Sequence, residues 1–153
     1  MKKIISFLLI ISIFFSLAIC LSFCAKKENK AEIFKLVELN KEILLEDIQN
    51  KNLERSKKVK NIKSINNNLD EGYVQYNYNS GDSIWVGFYY EGFLYIENND
   101  IFSTIYYVSL ENHPNYDLTI ENDTYIFRQK EGGENYFYVE KICDKFYYFY
   151  EKY

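Results

Sequence analysis

The pattern of apolar and polar residues changes twice along the chain. Residues 4–23 form an uncharged, mostly apolar run, and residues 31–49 carry apolar side chains at helical spacing. From Tyr73 onward, short aromatic and β-branched runs are separated by turn residues, which is typical of strands. This succession predicts an α+β fold, with an N-terminal amphipathic helix packed on an antiparallel, Tyr-rich meander sheet or small barrel.

The predicted helix spans residues 31–49 and contains neither glycine nor proline. Asn40 and Asp47 fall inside its apolar stripe and weaken it. Because the repeat is too short for a coiled coil, we expect the stripe to pack on one face of the sheet. The lysine-rich residues 51–68 either continue the helix or turn into a first strand. The stripe consists of Ile33, Leu36, Val37, Ile43, Leu44 and Ile48.

Residues 84–97, IWVGFYYEGFLYIE, are predicted to form the central hairpin of the sheet. Two aromatic and β-branched runs flank the pair Glu91-Gly92, a glycine-bearing turn signal. In the first arm, Phe88 and Tyr90 share one face, opposite Trp85 and Tyr89.

The rest of the C-terminal half is divided by turn signals into further strands. Residues 101–110 are assigned to a strand because of their β-branched content, with a short helix capped by Asp100 as the alternative. With both arms of the hairpin we expect eight strands. The others are residues 73–78, 116–120, 124–130, 136–143 and 146–153.

Charge is distributed unevenly around a net value of −4. Residues 64–153 hold fifteen Asp and Glu against five Lys and Arg, a formal charge of −10. A domain this acidic repels phosphate backbones, so nucleic acid is excluded as its partner.

The N-terminus has the pattern of an export signal. Lys2 and Lys3 precede the apolar run, which ends in LAIC at Cys20 and again in LSFC at Cys24. Each cysteine has leucine three positions before it, which resembles the lipobox of bacterial lipoproteins. The pattern departs from that family at Ile19 and Phe23, where Gly, Ala or Ser is usual. The resemblance implies lipidation of Cys24, which the polar tether AKKENK follows, with Cys20 as the alternative.

The same resemblance implies a domain organisation and a location. Residues 1–23 would be the signal peptide, 24–30 a tether, 31–65 the helical segment with its basic linker, and 66–153 the antiparallel β domain. The protein would lie in the cell envelope, anchored to the inner or outer membrane by acyl chains such as palmitate. Alternatively, residues 4–23 remain as a single transmembrane helix, for which they are long enough.

Few residues are candidates for catalysis, metal binding or disulfide formation. His113 is the single histidine and is assigned to a loop before the single proline, and no metal, cofactor or catalytic motif is recognised. Cys143 is assigned a packing role. It has no disulfide partner if Cys24 is lipidated, whereas it could pair with Cys24 if Cys20 is lipidated.

All sixteen tyrosines lie from Tyr73 onward. Tyrosine combines an apolar ring with a polar tip and is common on recognition surfaces, although an AT-rich genome also produces such a composition. Trp85, Tyr89 and Tyr95 are the candidate binding residues. We therefore expect a membrane-anchored domain that binds an envelope protein or glycan without catalysis. The alternative is an inhibitor or immunity lipoprotein resembling small envelope β-barrel lysozyme inhibitors, and an envelope hydrolase ranks third.

Overall fold

The computed structural model describes residues 29–83 and 87–153. Ile33–Tyr153 forms one compact unit. Helix α1 comprises residues 29–49. Short 3₁₀ turns occur at Ser56–Lys58, Leu69–Glu71 and Ile101–Ser103. The remaining elements are β1 (Ser64–Asn68), β2 (Tyr73–Ser83), β3 (Gly87–Ile96), α2 (Ile105–Glu111), β4 (Tyr116–Glu121), β5 (Thr124–Gln129), β6 (Tyr136–Cys143) and β7 (Phe146–Lys152).

The strands form one seven-stranded sheet in the order β1-β2-β3-β7-β6-β5-β4, and every pairing is antiparallel. The predicted antiparallel sheet in an α+β fold is thus confirmed, whereas a simple meander is wrong. The chain passes from β3 in the middle of the sheet to β4 at its edge, and β7 returns to pair with β3. This central position suits β7, since residues 146–151 are all buried.

The predicted central hairpin is also wrong. Residues 87–96 form one continuous strand, and Glu91-Gly92 lies in the middle of it, where Gly92 pairs with Asn77. A Cβ atom at Gly92 would overlap the carbonyl oxygen of Tyr76 on the neighbouring strand. Glycine is therefore required here for close approach of two backbones and not for a turn.

Residues 101–110 do not form the strand that was favoured for them. Asp100 caps a 3₁₀ turn by accepting a hydrogen bond from the Phe102 N–H at 3.0 Å, and Thr104 caps α2 by accepting from the Tyr107 N–H. The alternative, a short helix after Asp100, is the correct one. Side-chain oxygens that accept from free N–H groups outweigh β-propensity in this segment.

Each face of the sheet carries its own buried cluster. The Glu91 face, as we call it, combines Phe93, Tyr95, Phe146 and Tyr148 with buried residues of α1. The Glu151 face combines Leu94, Ile96, Tyr147 and Phe149 with residues of α2 and its preceding turn. Successive residues of β3 and β7 alternate between the two clusters, as the pleat requires. The α1 members are Ile33, Val37, Leu44 and Ile48.

None of the helices within residues 29–83 and 87–153 is both long and apolar enough to span a bilayer. The alternative transmembrane segment, residues 4–23, lies outside the described residues.

Candidate ligand-binding surface

The residues that the sequence indicated for binding or lipidation differ in where they lie and in how buried they are. Trp85, Cys20 and Cys24 lie outside the described residues. Tyr95 is buried in the Glu91-face cluster, 5.6 Å from Phe146 between ring centroids, so its ring is not available to a ligand. Tyr89 is half-buried and stacks on Tyr150 at 6.2 Å.

An aromatic patch on the Glu151 face was missed by sequence reasoning. We define it as Phe88, Tyr90, Tyr106 and Tyr153. Phe88 is 58% exposed, Tyr90 41% and Tyr153 43%, while Tyr106 is half-buried. Phe88 and Tyr90 project from alternate positions of β3, and Tyr106 comes from α2. Among the described aromatic side chains, Phe88, Tyr90 and Tyr153 are the ones most open to solvent.

Backbone and ring contacts hold the patch together. The Tyr153 N–H donates to the Phe88 carbonyl at 2.9 Å. The Tyr90 and Tyr153 rings meet edge to face, with centroids 6.2 Å apart and an interplanar angle of 82°. Gly87 has a φ of +74°, and a Cβ there would lie 2.5 Å from the Tyr153 carbonyl oxygen. Only glycine fits both that backbone conformation and that space.

A buried carboxylate lies behind the patch. Glu151 is 7% exposed and accepts hydrogen bonds from the hydroxyls of Tyr107 and Tyr153, each at 3.3 Å. The hydroxyls of Tyr106 and Tyr153 are 2.9 Å apart, so the network extends to the surface. Burial raises the pKa of Glu151 to about 7, although both tyrosine hydroxyls oppose the shift. Burial and the nearby Glu151 raise the pKa of Tyr153 to about 12.

Stability should therefore decrease as pH rises from about 5 to 8. The folded chain favours the neutral acid, so the contribution of Glu151 is fully present below its ordinary pKa of 4.5 and is lost as pH rises through about 7. Glu151→Gln should remove this dependence and stabilise the protein by about 1–2 kcal/mol at pH 8. Urea denaturation at several pH values measures this change in stability. Glu121→Gln, at an exposed β4 position, is the control, and an unchanged pH slope in Glu151→Gln would refute the assignment.

The other buried carboxylate of the strands, Glu91, is on the opposite face of the sheet. It is 2% exposed and accepts a hydrogen bond from the Tyr148 hydroxyl at 2.7 Å. Because Tyr148 belongs to one cluster and Tyr107, the partner of Glu151, to the other, the two buried acids are separated by the sheet. They do not form the facing carboxylate pair that glycoside hydrolysis uses.

Neutral polar groups of β1 and β2 lie on the same face as the patch. Ser80 on β2 is exposed and pairs with Tyr90 across the strands. Further along β2, the Gln75 side chain donates to the Asn77 amide oxygen at 2.9 Å, and the Asn77 side chain donates to the Ser64 hydroxyl at 3.0 Å. By register these side chains share the Glu151 face. Of these groups only Ser80 lies beside the patch, because Asn77 is buried and Gln75 pairs with Leu94, four residues along β3 from Tyr90.

A separate polar pocket of about 270 Å³ is lined by Pro114, Asn115, Gln129, Lys130 and Glu131. The Lys130 ammonium group donates to the Pro114 carbonyl at 3.0 Å and lies 3.4 Å from the Asp117 carboxylate. The pocket is small for a ligand site, and its cation is already engaged. It is a weaker candidate than the aromatic patch.

The other side chains with reactive or metal-binding groups lie apart from one another. His113 is exposed in its loop, where its Nδ1 accepts a hydrogen bond from the Asn115 N–H at 3.2 Å. Cys143 is a free, half-buried thiol. Within the part of the chain that the structure describes, no group of three or more His, Cys, Asp or Glu side chains could hold a metal ion.

The alternation of β3 was sufficient to place Phe88 and Tyr90 on one face, but not to show which face is covered. That depends on α2, whose position the sequence did not reveal.

Comparisons of this chain with protein-family models, with curated proteins and with solved structures find no match.

Proposed function

We propose that this chain is a membrane-anchored envelope lipoprotein whose sheet domain binds an envelope protein or glycan without catalysis. The observation that carries the proposal is the aromatic patch, in which Phe88, Tyr90 and Tyr153 are each at least 41% exposed on one face of the sheet. Clustered exposed rings are typical of interaction surfaces. Glu91 and Glu151 support binding over hydrolysis, since each is hydrogen-bonded by tyrosine and they lie on opposite faces of the sheet.

A photocrosslinking experiment tests the binding role. The full-length chain, with a photoreactive phenylalanine analogue in place of Tyr90, should crosslink to an envelope component. The same analogue at Ile120 should not, because this exposed β4 residue is outside the patch. Equal crosslinking from both positions, or none from Tyr90, would reject the patch as the binding surface.

The anchor is proposed from the lipobox resemblance, with lipid on Cys24 followed by the tether. Labelled palmitate should be incorporated into the wild-type chain and into Cys20→Ser, but not into Cys24→Ser. Incorporation of palmitate into Cys24→Ser would show that the lipid is attached to another residue. No incorporation into the wild type would favour the alternative transmembrane anchor.

We further propose that α1 is the element that covers the Glu91 face in the anchored protein. Val37 is buried in the Glu91-face cluster, and the Phe34 ring lies 6.2 Å from that of Tyr148. Val37→Ala should cost about 2 kcal/mol of unfolding free energy, whereas Leu39→Ala, at an exposed position of the same helix, should cost less than about 0.5 kcal/mol. Equal effects in denaturation experiments would contradict this packing.

A further inference from the structure

Resting on the proposed function, we propose that the aromatic patch binds an uncharged glycan chain, which would lie across Phe88, Tyr90 and Tyr153 beside Ser80 of β2.

The rings supply the surface that a sugar needs. Phe88 and Tyr90 are two residues apart on β3, which separates them by roughly 7 Å along the strand. The apolar C–H face of a sugar ring is attracted to the electron-rich face of an aromatic ring. Tyr153 stands nearly perpendicular to Tyr90, with an interplanar angle of 82°, so the two rings form a corner and not a flat plane.

Hydrogen-bonding groups are available next to those rings. The Tyr106 and Tyr153 hydroxyls are 2.9 Å apart, and Tyr153 also donates to the buried Glu151. The carboxylate thereby holds the tyrosine hydroxyls in place. Ser80 borders the patch on β2, and its hydroxyl can both donate to and accept from sugar hydroxyls.

The exposed area favours a narrow ligand over a protein. An aromatic side chain buries about 150–250 Å² when fully covered, so three half-exposed rings offer roughly 300 Å². A stable protein interface needs about 800 Å² from each partner. The rings fall well short of that area, but they suffice for a few sugar units.

Charge favours a neutral chain. The patch contains no Lys or Arg, and the domain that carries it, residues 64–153, has a formal charge of −10. Anionic polysaccharides and phospholipid head groups would be repelled, whereas an uncharged glycan would meet neither repulsion nor an unpaired charge.

Saturation-transfer NMR on the full-length chain in detergent micelles tests the inference. The probes are tetramers of N-acetylglucosamine and of glucose, with tetragalacturonate as the anionic comparison. We expect transfer to at least one neutral tetramer and none to tetragalacturonate. Tyr90→Ala should weaken binding about tenfold, which corresponds to the loss of about 1.4 kcal/mol from one stacking ring. Tyr90→Phe, which keeps the ring, and Ile120→Ala, on β4 of the same face, should bind like the wild type.

Each contrary result is decisive. No transfer to either neutral tetramer, equal transfer to tetragalacturonate, or unchanged binding by a folded Tyr90→Ala variant would overturn the glycan assignment. If the Tyr90 crosslink captures a protein while the neutral tetramers do not bind, only this inference fails and the proposed binding function stands. If neither experiment gives a signal, both fail.

Discussion

Replacing Gly92 by alanine should destabilise the domain by about 3–5 kcal/mol. The added Cβ would overlap the Tyr76 carbonyl oxygen and lie 3.1 Å from Cε1 of Phe149. The carbonyl is backbone of the adjacent strand, so it can give way only if the β2–β3 pairing shifts. Because β3 is central and buried on both faces from residue 91 to residue 96, no solvent-exposed side is available for the displaced atoms.

Gly133→Ala is the matched control for Gly92→Ala. The three atoms nearest its Cβ would all belong to the side chain of Gln129, which can change rotamer, so the cost should stay below about 1 kcal/mol. Urea denaturation of the full-length variants, followed by circular dichroism, measures both. If Gly92→Ala were as stable as Gly133→Ala, the close approach of β2 and β3 at this position would be disproved.

Asp47→Ala should cost about 2–4 kcal/mol. Asp47 is 2% exposed near the end of α1, and its carboxylate accepts hydrogen bonds from the Ser56 N–H at 2.7 Å, the Ser56 hydroxyl at 2.9 Å and Arg55 Nε at 2.8 Å. Ser56 is itself buried. Truncation would leave its two donors without an acceptor and away from water, which costs more than the loss of an exposed hydrogen bond.

Glu46→Ala separates the buried contacts from the general effect of removing an acid. Glu46 pairs with the same arginine at 2.9 Å, but its side chain is 60% exposed, so its loss should cost less than about 0.5 kcal/mol. Equal losses in the two variants would show that the Ser56 contacts contribute little.

The Asp47 contacts also predict a pH dependence. Burial alone would raise the pKa of Asp47, but the hydrogen bonds from Ser56 and Arg55 hold it below its ordinary value of 3.8. The stabilisation that these hydrogen bonds provide is therefore present above about pH 4. It is lost as pH falls through the pKa that Asp47 has in the folded protein. In Asp47→Ala this acid-induced loss should be reduced, which denaturation at pH 2–5 would measure.

Strands bounded by strong turn signals were predicted well from local sequence. The predicted strand at residues 136–143 coincides with β6, Tyr136–Cys143, and the predicted strands on either side of Asn122-Asp123 match β4 and β5 within a residue. Both residues have positive φ, at 47° and 59°. Asn and Asp tolerate this conformation best after glycine, so the sequence marks this turn directly.

Signals with two physical meanings led to errors. Glycine permits a tight turn, as was predicted for Glu91-Gly92, and it also permits two backbones to approach closely, which is its role at Gly92. A polar residue inside an apolar stripe signals a weak helix unless a partner satisfies it. For Asp47 the partners are Arg55 and Ser56, eight and nine residues further on, so helical periodicity gave no sign of them.

Local patterning was enough to predict an antiparallel, tyrosine-rich sheet after a helical segment and the turns between its later strands, because each depends on residues close together in the chain. The strand order, the roles of Gly92 and Asp47, and the choice between buried Tyr95 and exposed Tyr90 were decided in three dimensions. The pleat specifies only that neighbouring side chains face opposite sides. Which side remains open depends on where α1 and α2 lie, and hence on contacts between residues far apart in sequence.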